Sequence, residues 1–278
     1  MNKFRKLLSV MFATAMVAYS VSSFACTNFL ITKGASKDGS TMITYAADSH
    51  VLYGELYYRA AANYPAGSML QVVDWDSGRK LIKIPQIAHT YTTVGNSNEW
   101  GLSITETTGG IDYGSLMYLT LQRAKTAREA IKQIAEWVEM YGYASEGESL
   151  SIADPNEVWI LEIIAKGNNP EISLDKDGKV IKDKKGNPVI NKNIKHGAVW
   201  VAMRVPDGYI SGHANQARIT TFPQEAKKSF KSISSKNLKE IFRPEVEVVY
   251  AEDVIKFAKH KGYYNGEDKD FSFSDTYA

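Results

Sequence analysis

The chain has 278 residues, with 33 Lys and Arg against 31 Asp and Glu, 44% apolar residues and one cysteine. Three of the basic residues and none of the acidic ones lie within the first 25 positions. The remainder is therefore charge-balanced, which argues against a nucleic-acid footprint or a polybasic membrane patch. Its length allows one large core or two small ones, and a single cysteine allows no internal disulfide.

Residues 1–25 read as a secretory leader. Lys3, Arg5 and Lys6 form a positive start, Leu7 to Val21 is an apolar stretch, and Ser23-Phe24-Ala25 ends in small residues at the positions signal peptidase selects. The apolar run is shorter than the roughly 20 residues that span a bilayer. A lipoprotein leader also ends before a Cys, but its motif asks for an aliphatic residue and then a small one where this chain has Ser23 and Phe24. The expectation is an exported protein, periplasmic or extracellular, whose mature N-terminus is Cys26.

Beyond the leader, short strands are predicted at Asn28 to Thr32, Thr41 to Tyr45, Glu55 to Ala60, Thr90 to Val94, Leu102 to Thr105, Ser149 to Ala153, Val158 to Ile164, Ala198 to Val205 and Tyr209 to His213. Turn residues such as Asp154-Pro155-Asn156-Glu157 join several in pairs, which favours antiparallel hairpins over βαβ crossovers. A helix is predicted from Tyr113 to Lys125. A second is opened by Thr126 with Glu129 three residues on, a capping-box spacing, and closed by Gly142. Its Ala130, Ile131, Ile134, Ala135, Trp137 and Val138 recur at helical spacing and predict a core-facing stripe. Helical character returns at Ser235 to Ile241 and Ala251 to Lys259. Residues 166–197, rich in Lys, Asp, Asn and Gly, predict an exposed polar hairpin. Its Asp175 and Asp177 lack the third acidic residue and closing Glu of a calcium loop. One α+β domain over 26–278 is expected.

The histidines His50, His89, His196, His213 and His260 show no metal-ligand spacing, and neither a phosphate loop nor a nucleophile-elbow serine motif is present. Cys26 remains. At a mature N-terminus it carries nucleophile and base in one residue, since an α-amine with a pKa of about 8 stands beside a thiol of about 8.5. The amine takes the thiol proton, the thiolate attacks a carbonyl, and the protonated amine serves the leaving nitrogen. A carboxylate and an oxyanion donor complete the minimum set.

The runs Cys26-Thr27-Asn28-Phe29-Leu30, Ser36-Lys37-Asp38-Gly39-Ser40-Thr41, Ala47-Asp48-Ser49, Asn98-Glu99-Trp100-Gly101-Leu102 with Glu106-Thr107-Thr108, Ile152-Ala153-Asp154-Pro155, and Arg204-Val205-Pro206-Asp207-Gly208 through His213-Ala214-Asn215-Gln216-Ala217-Arg218 occur in an order that resembles the cysteine dipeptidase family of N-terminal nucleophile hydrolases. The resemblance implies a four-layer αββα sandwich, hydrolysis of dipeptides, and neither metal nor cofactor. It makes Cys26 the nucleophile, puts Asp48 near the nucleophile's amine, as in the related bile-salt and penicillin V amidases, and makes Asn215 an oxyanion-hole amide. Asn98 and Glu106 flank a strand edge where a cleft is expected, and Glu106 suits a substrate ammonium group.

Tyr45 stands three residues before Asp48, where many relatives have an Arg, and a phenol supplies no such fixed charge; Tyr45 is expected on the substrate side of the site. Dipeptidase relatives are also usually longer, and Phe271 to Ala278 reads like mid-domain sequence, so a C-terminally incomplete domain is expected. The expected partners are small peptides, with no nucleic acid and no stable membrane association after cleavage. Two alternatives stay open: an amidase for other acyl amides, and an inactive, truncated or lipid-anchored binding protein.

Overall fold

The computed structural model describes residues 25–48, 54–73, 78, 80–107, 113–143, 146–167, 179, 181–187, 189, 197–226 and 228–277. The strands in chain order are β1 (Ala25–Ile31), β2 (Met42–Ile43), β3 (Ala46–Asp48), β4 (Tyr58–Arg59), β5 (Ala62–Asn63), β6 (Met69–Val73), β7 (Lys80–Pro85), β8 (His89–Thr90) and β9 (Thr93–Val94). They continue as β10 (Ser97–Asn98), β11 (Ser103–Thr107), β12 (Gly147–Ala153), β13 (Val158–Ala165), β14 (Ala198–Arg204), β15 (Ile210–Ala214), β16 (Ser232–Ser234) and β17 (Val248–Tyr250). The helices are α1 (Tyr113–Leu121), α2 (Ala127–Tyr141), α3 (Val254–Lys261) and α4 (Phe273–Tyr277), with a 3-10 segment over Ser235–Phe242.

The fold is α+β and mostly antiparallel. A large sheet runs in the order β16-β17-β14-β13-β12-β11-β10-β9-β4, and a small one runs β15-β1-β2 with β3 also paired to β1. Only the β16–β17 pair of named strands is parallel among the described residues. Both are three-residue strands, too short for the sequence pattern to announce. The expected strand over 41–45 is shortened to β2, and β3 resumes at Ala46 in the same antiparallel register on β1; between them the Thr44 N–H donates to the Phe29 carbonyl at 2.9 Å, while the Phe29 N–H is taken by the Thr44 hydroxyl at 2.9 Å.

Helix α2 follows its local signals. The Thr126 hydroxyl accepts the Glu129 N–H at 3.2 Å, and the Glu129 carboxylate reaches back to the Lys125 N–H at 2.7 Å, one residue earlier than a standard capping box. Gly142 ends the helix at φ 84°, a conformation that side chains other than glycine adopt with strain. The buried stripe Ala127, Arg128, Ala130, Ile131, Ile134, Ala135 and Val138 lies on one face of the large sheet. There the register aligns Ile104, Ile152 and Trp159 in one row and Leu150, Leu161 and Ala202 in another. Each fully buried Leu or Ile in such a layer contributes roughly 1.5–3 kcal/mol. Trp137, expected in the stripe, is only half-buried and lies under the Arg123 guanidinium, 5.4 Å from the ring centre.

Arg128 is the polar exception within the stripe. Its guanidinium makes a two-pronged bond to Glu157 (2.6 and 2.9 Å) and caps the carbonyls of Ile241 and Arg243 at 2.6 and 2.7 Å, tying α2 to the start of β13 and to the segment before β17.

At the root of the expected polar hairpin, the Lys166 N–H donates to the Gly197 carbonyl at 2.9 Å, and a buried ion pair joins Lys166 to Asp253 at 2.7 Å. Farther out, Asp183 N–H to Asn187 O (2.8 Å) and Val189 N–H to Ile181 O (2.9 Å) close a turn. Asp175, Asp177 and most of that segment lie outside the described residues, as do residues 1–24, His50 and His196.

The opposite face of the large sheet meets the small sheet. Thr107, Ser149, Glu162 and Val201 form one row on this side, and Thr105, Ser151, Ile160 and Met203 the next. The inward-facing residues of β1 at this junction are Cys26, Asn28 and Leu30, all buried.

Candidate active site

Cys26 is the second residue of β1 and is 2% exposed. On one side its strand pairs with β3, in a register that sets Ala47 opposite Cys26 and Asp48 opposite Ala25. On the other side it pairs with β15, whose last residue, Ala214, sits opposite Thr27. The chain continues directly into Asn215, and the side-chain oxygen of Asn215 accepts a hydrogen bond from the Cys26 backbone N–H. Two of the three residues expected to be catalytic, Cys26 and Asn215, are thereby in contact. The backbone of Asp48 is brought to the junction between residues 25 and 26, one register row from the nucleophile.

Two residues on from Cys26, on the same face, Asn28 donates from Nδ2 to the Thr105 hydroxyl and to the Glu106 carbonyl, each at 3.0 Å. This ties β1 to β11 where Glu106 sits. The Glu106 carboxylate is buried and accepts from the Tyr45 hydroxyl at 2.5 Å. Tyr45 immediately precedes β3, so the phenol links the strand beside Cys26 to the end of β11.

Asn98 is used differently. Its Nδ2 donates to the carbonyls of Leu121 and Ala124 at 2.8 Å each, and its Oδ1 accepts from the N–H groups of Trp100 and Leu102 at 3.0 and 3.2 Å. The amide holds the β10–β11 turn against the end of α1 through four backbone bonds.

Three polar groups to which the sequence assigned no role complete the inter-sheet layer. His213, on β15 opposite Asn28, is 3% exposed and shares a 2.6 Å hydrogen bond from Nε2 with the Ser151 hydroxyl. Burial, helped by the nearby Arg218 charge, pushes its pKa down to about 4, so the ring is neutral at pH 7. Glu162, 1% exposed in the middle of β13, accepts the Arg218 N–H at 2.5 Å and the Ile219 N–H at 3.0 Å. Burial raises its pKa, against the two backbone donors and Arg218, which favour the ionised form. A signal for Glu162 was present, since it is the one polar residue of the apolar strand β13, whereas Ser151 only alternates with Leu150 and Ile152 in a strand that also carries Glu148 and Ser149.

Residues 25–278 match the profile of Peptidase family C69. The chain belongs to this family. The cysteine dipeptidase resemblance carried by the ordered motifs agrees with that membership.

Among curated C69-like relatives, a probable dipeptidase B of Streptococcus pyogenes serotype M1 is 26% identical over 191 residues, covering 58% of this chain and 38% of that protein. A probable dipeptidase of Latilactobacillus sakei is 24% identical over 224 residues, covering 70% and 40%. A probable dipeptidase A of Streptococcus pyogenes serotype M18 is 25% identical over 239 residues, covering 73% and 42%. The matched part of this C69 chain thus spans about two fifths of the length of these relatives. Cys26, Asp48, Tyr45, Asn98, Glu106, Asn215, His213 and Glu162 all lie inside the C69 match.

Proposed function

We propose that this chain is an exported cysteine dipeptidase, activated by cleavage between Ala25 and Cys26, that hydrolyses dipeptides through an acyl-enzyme on Cys26. The observation that carries the reading is the hydrogen bond from the Cys26 nitrogen to Asn215 Oδ1. It ties the atom that becomes the α-amine to the residue that the resemblance makes an oxyanion donor. Family membership and the dipeptidase names of the relatives supply the reaction class.

The chemistry depends on cleavage for a plain reason. While Ala25 is attached, the Cys26 nitrogen is an amide whose lone pair is delocalised into the carbonyl, and it cannot accept a proton. Once freed, it is an amine that takes the thiol proton. The thiolate then attacks the substrate carbonyl, and the carbon–nitrogen bond breaks as the ammonium returns a proton to the leaving amine. The amine next deprotonates a water, which attacks the thioester, and the freed sulfur recovers the proton. The Asn215 amide carries two N–H donors on Nδ2, the groups a developing oxyanion requires. Asp48 stabilises the ammonium form of the Cys26 amine. Glu106, held by Tyr45, receives the substrate's own ammonium group, which distinguishes a dipeptide from an N-acylated amide.

The domain is read as residues 26–278 in a four-layer αββα sandwich, with 166–197 as a polar hairpin insertion. That architecture calls for a helical layer on the outer face of the small sheet. Phe29, Met42 and Ile210 are 52%, 44% and 62% exposed there, an apolar surface consistent with such cover.

Mass spectrometry of the exported protein tests the processing step: the expected N-terminus is Cys26, free of acyl chains and alkylated by iodoacetamide. Retention of Ala25 or a diacylglyceryl Cys would defeat the mechanism. Cys26→Ala is expected to abolish turnover of a dipeptide panel while leaving the melting temperature within a few degrees. Turnover of penicillin V or conjugated bile acids, with none of dipeptides, would overturn the substrate class and leave the nucleophile standing.

A further inference from the structure

Asn215 is an exposed residue just past the end of β15, in a segment where the Gln216 N–H turns back onto the Ala214 carbonyl at 2.6 Å. It lies outside the strands and helices, and the reaction proposed above needs its amide held to within a fraction of an ångström of Cys26. Misplacement by about 1 Å costs on the order of 100-fold in rate. The chain on either side of it is tied to the large sheet. Two residues before Asn215, the buried His213 ring is bonded to Ser151 of β12. Three and four residues after it, the Arg218 and Ile219 N–H groups both point into the Glu162 carboxylate of β13. Beyond that, the Ile219 and Thr220 carbonyls accept from Ser274 and Phe273 of α4, which close the segment from outside.

We infer that Glu162 is a positioning residue: its carboxylate clamps the Arg218–Ile219 backbone and so holds the Asn215 amide against Cys26. A neutral side chain of the same shape would serve less well. Glutamine presents one carbonyl oxygen and one NH2 group, so one of the two backbone donors would meet another donor. A carboxylate accepts both, and in a buried setting those charge-assisted bonds are stronger than neutral ones. This role rests on the catalytic reading of Cys26 and Asn215, and it goes beyond that reading because Glu162 touches neither the substrate nor the reacting atoms.

The test is a cycle of wild type, Glu162→Gln, Asn215→Ala and the double variant, each with the mature N-terminus. If Glu162 acts through Asn215, Glu162→Gln lowers kcat by about 10-fold or more with KM within about 2-fold, and the same change adds less than about 2-fold to Asn215→Ala. Equal fold losses in both backgrounds would overturn the proposal, as would unchanged kcat in folded Glu162→Gln. The same four proteins are compared in the rate of Cys26 alkylation by iodoacetamide, which needs no turnover.

That second readout separates the two ideas. Hydrolysis by Cys26→Ala would sink the catalytic reading, whereas additive effects on alkylation would sink the clamp. Should Glu162→Gln fail to fold, Glu162→Asp enters the same cycle. It keeps the charge and both acceptor oxygens but is one methylene shorter, so it reaches the two N–H groups less closely and is expected to give a smaller loss with the same dependence on Asn215.

Discussion

On the helix side of the large sheet, the rows through Ile104, Ile152 and Trp159 and through Leu150 and Leu161 meet the aliphatic stripe of α2. On the other side the same strands present Thr105, Ser149, Ser151 and Glu162 to a small sheet that carries Cys26, Asn28 and His213. Both layers are buried; the first is aliphatic apart from Arg128 of α2 and Glu106, which pairs with Leu150, whereas directional contacts run through the second. Apolar packing tolerates small shifts of its parts, because its attraction depends on area and little on angle. A hydrogen bond weakens steeply once its angle falls below about 120°. The aliphatic layer can therefore hold the domain together, while the polar layer fixes where one strand end sits relative to another. Strand end against strand end is the geometry of Cys26 and Asn215.

If that division is right, a cavity on the helix side damages stability far more than chemistry. Ile131, fully buried in α2, is the place to make one. Ile131→Ala is expected to lose about 2–5 kcal/mol in urea unfolding, with kcat per folded molecule within about 2-fold of wild type. A large fall in kcat at unchanged stability would break the comparison, since it would make the helix layer part of the site.

The second expected effect is acid sensitivity of the polar layer. His213 titrates near 4 in the folded protein and near 6.5 when unfolded, so between these values the unfolded state binds more protons and stability falls as the pH is lowered. Over the whole window the loss amounts to about 3 kcal/mol. Glu162 works in the other direction: its pKa is raised in the folded state, so its contribution favours the fold at low pH and is lost as pH rises from the unfolded carboxylate value through the raised one. The two oppose each other in the acid range. His213→Gln removes the first and leaves the second, so its urea midpoint is expected to fall less than that of wild type between pH 6.5 and 4. Parallel profiles for the two proteins would remove His213 as the source.

These two layers were unequally legible in the sequence. The apolar stripe of α2 and its caps at Thr126 and Gly142 are local, and spacing gave them almost residue by residue. Cys26 was singled out by an expected cleavage site and by being the only cysteine, and Asn215 and Asp48 by the resemblance that the ordered motifs carry. The polar layer was not. Ser151 and His213 are 62 residues apart, Glu162 and Arg218 are 56 apart, and Asn28 and Thr105 are 77 apart. The apolar run of β13 marks Glu162 as odd for its surroundings, but no periodicity says which distant backbone or ring it or Ser151 will meet. Asn98 shows the mixture within one side chain: its Oδ1 meets the nearby Trp100 and Leu102 N–H groups, while its Nδ2 meets the distant carbonyls of Leu121, at the end of α1, and Ala124 just beyond it.

The smallest expected effect sharpens the comparison most. Ser151→Ala deletes one oxygen from the polar layer, leaving the buried His213 ring without the hydroxyl it shares at 2.6 Å and Asn28 Nδ2 without a 3.5 Å contact. Stability should fall by about 1–2 kcal/mol, less than for the Ile131 cavity, because no large void is created and one partner is lost. If His213 is the upstream anchor of Asn215, kcat falls as well, by about 3- to 10-fold, although Ser151 itself contacts neither Cys26 nor substrate in the proposed mechanism. The ratio of the two losses is the quantity to compare. Ile131→Ala should give a large stability loss for little change in kcat, and Ser151→Ala the reverse, both measured by urea unfolding and steady-state hydrolysis on the same preparations. Equal ratios would mean that the sheet transmits both kinds of damage alike, and that the polar face positions the strand ends no more closely than the aliphatic face does.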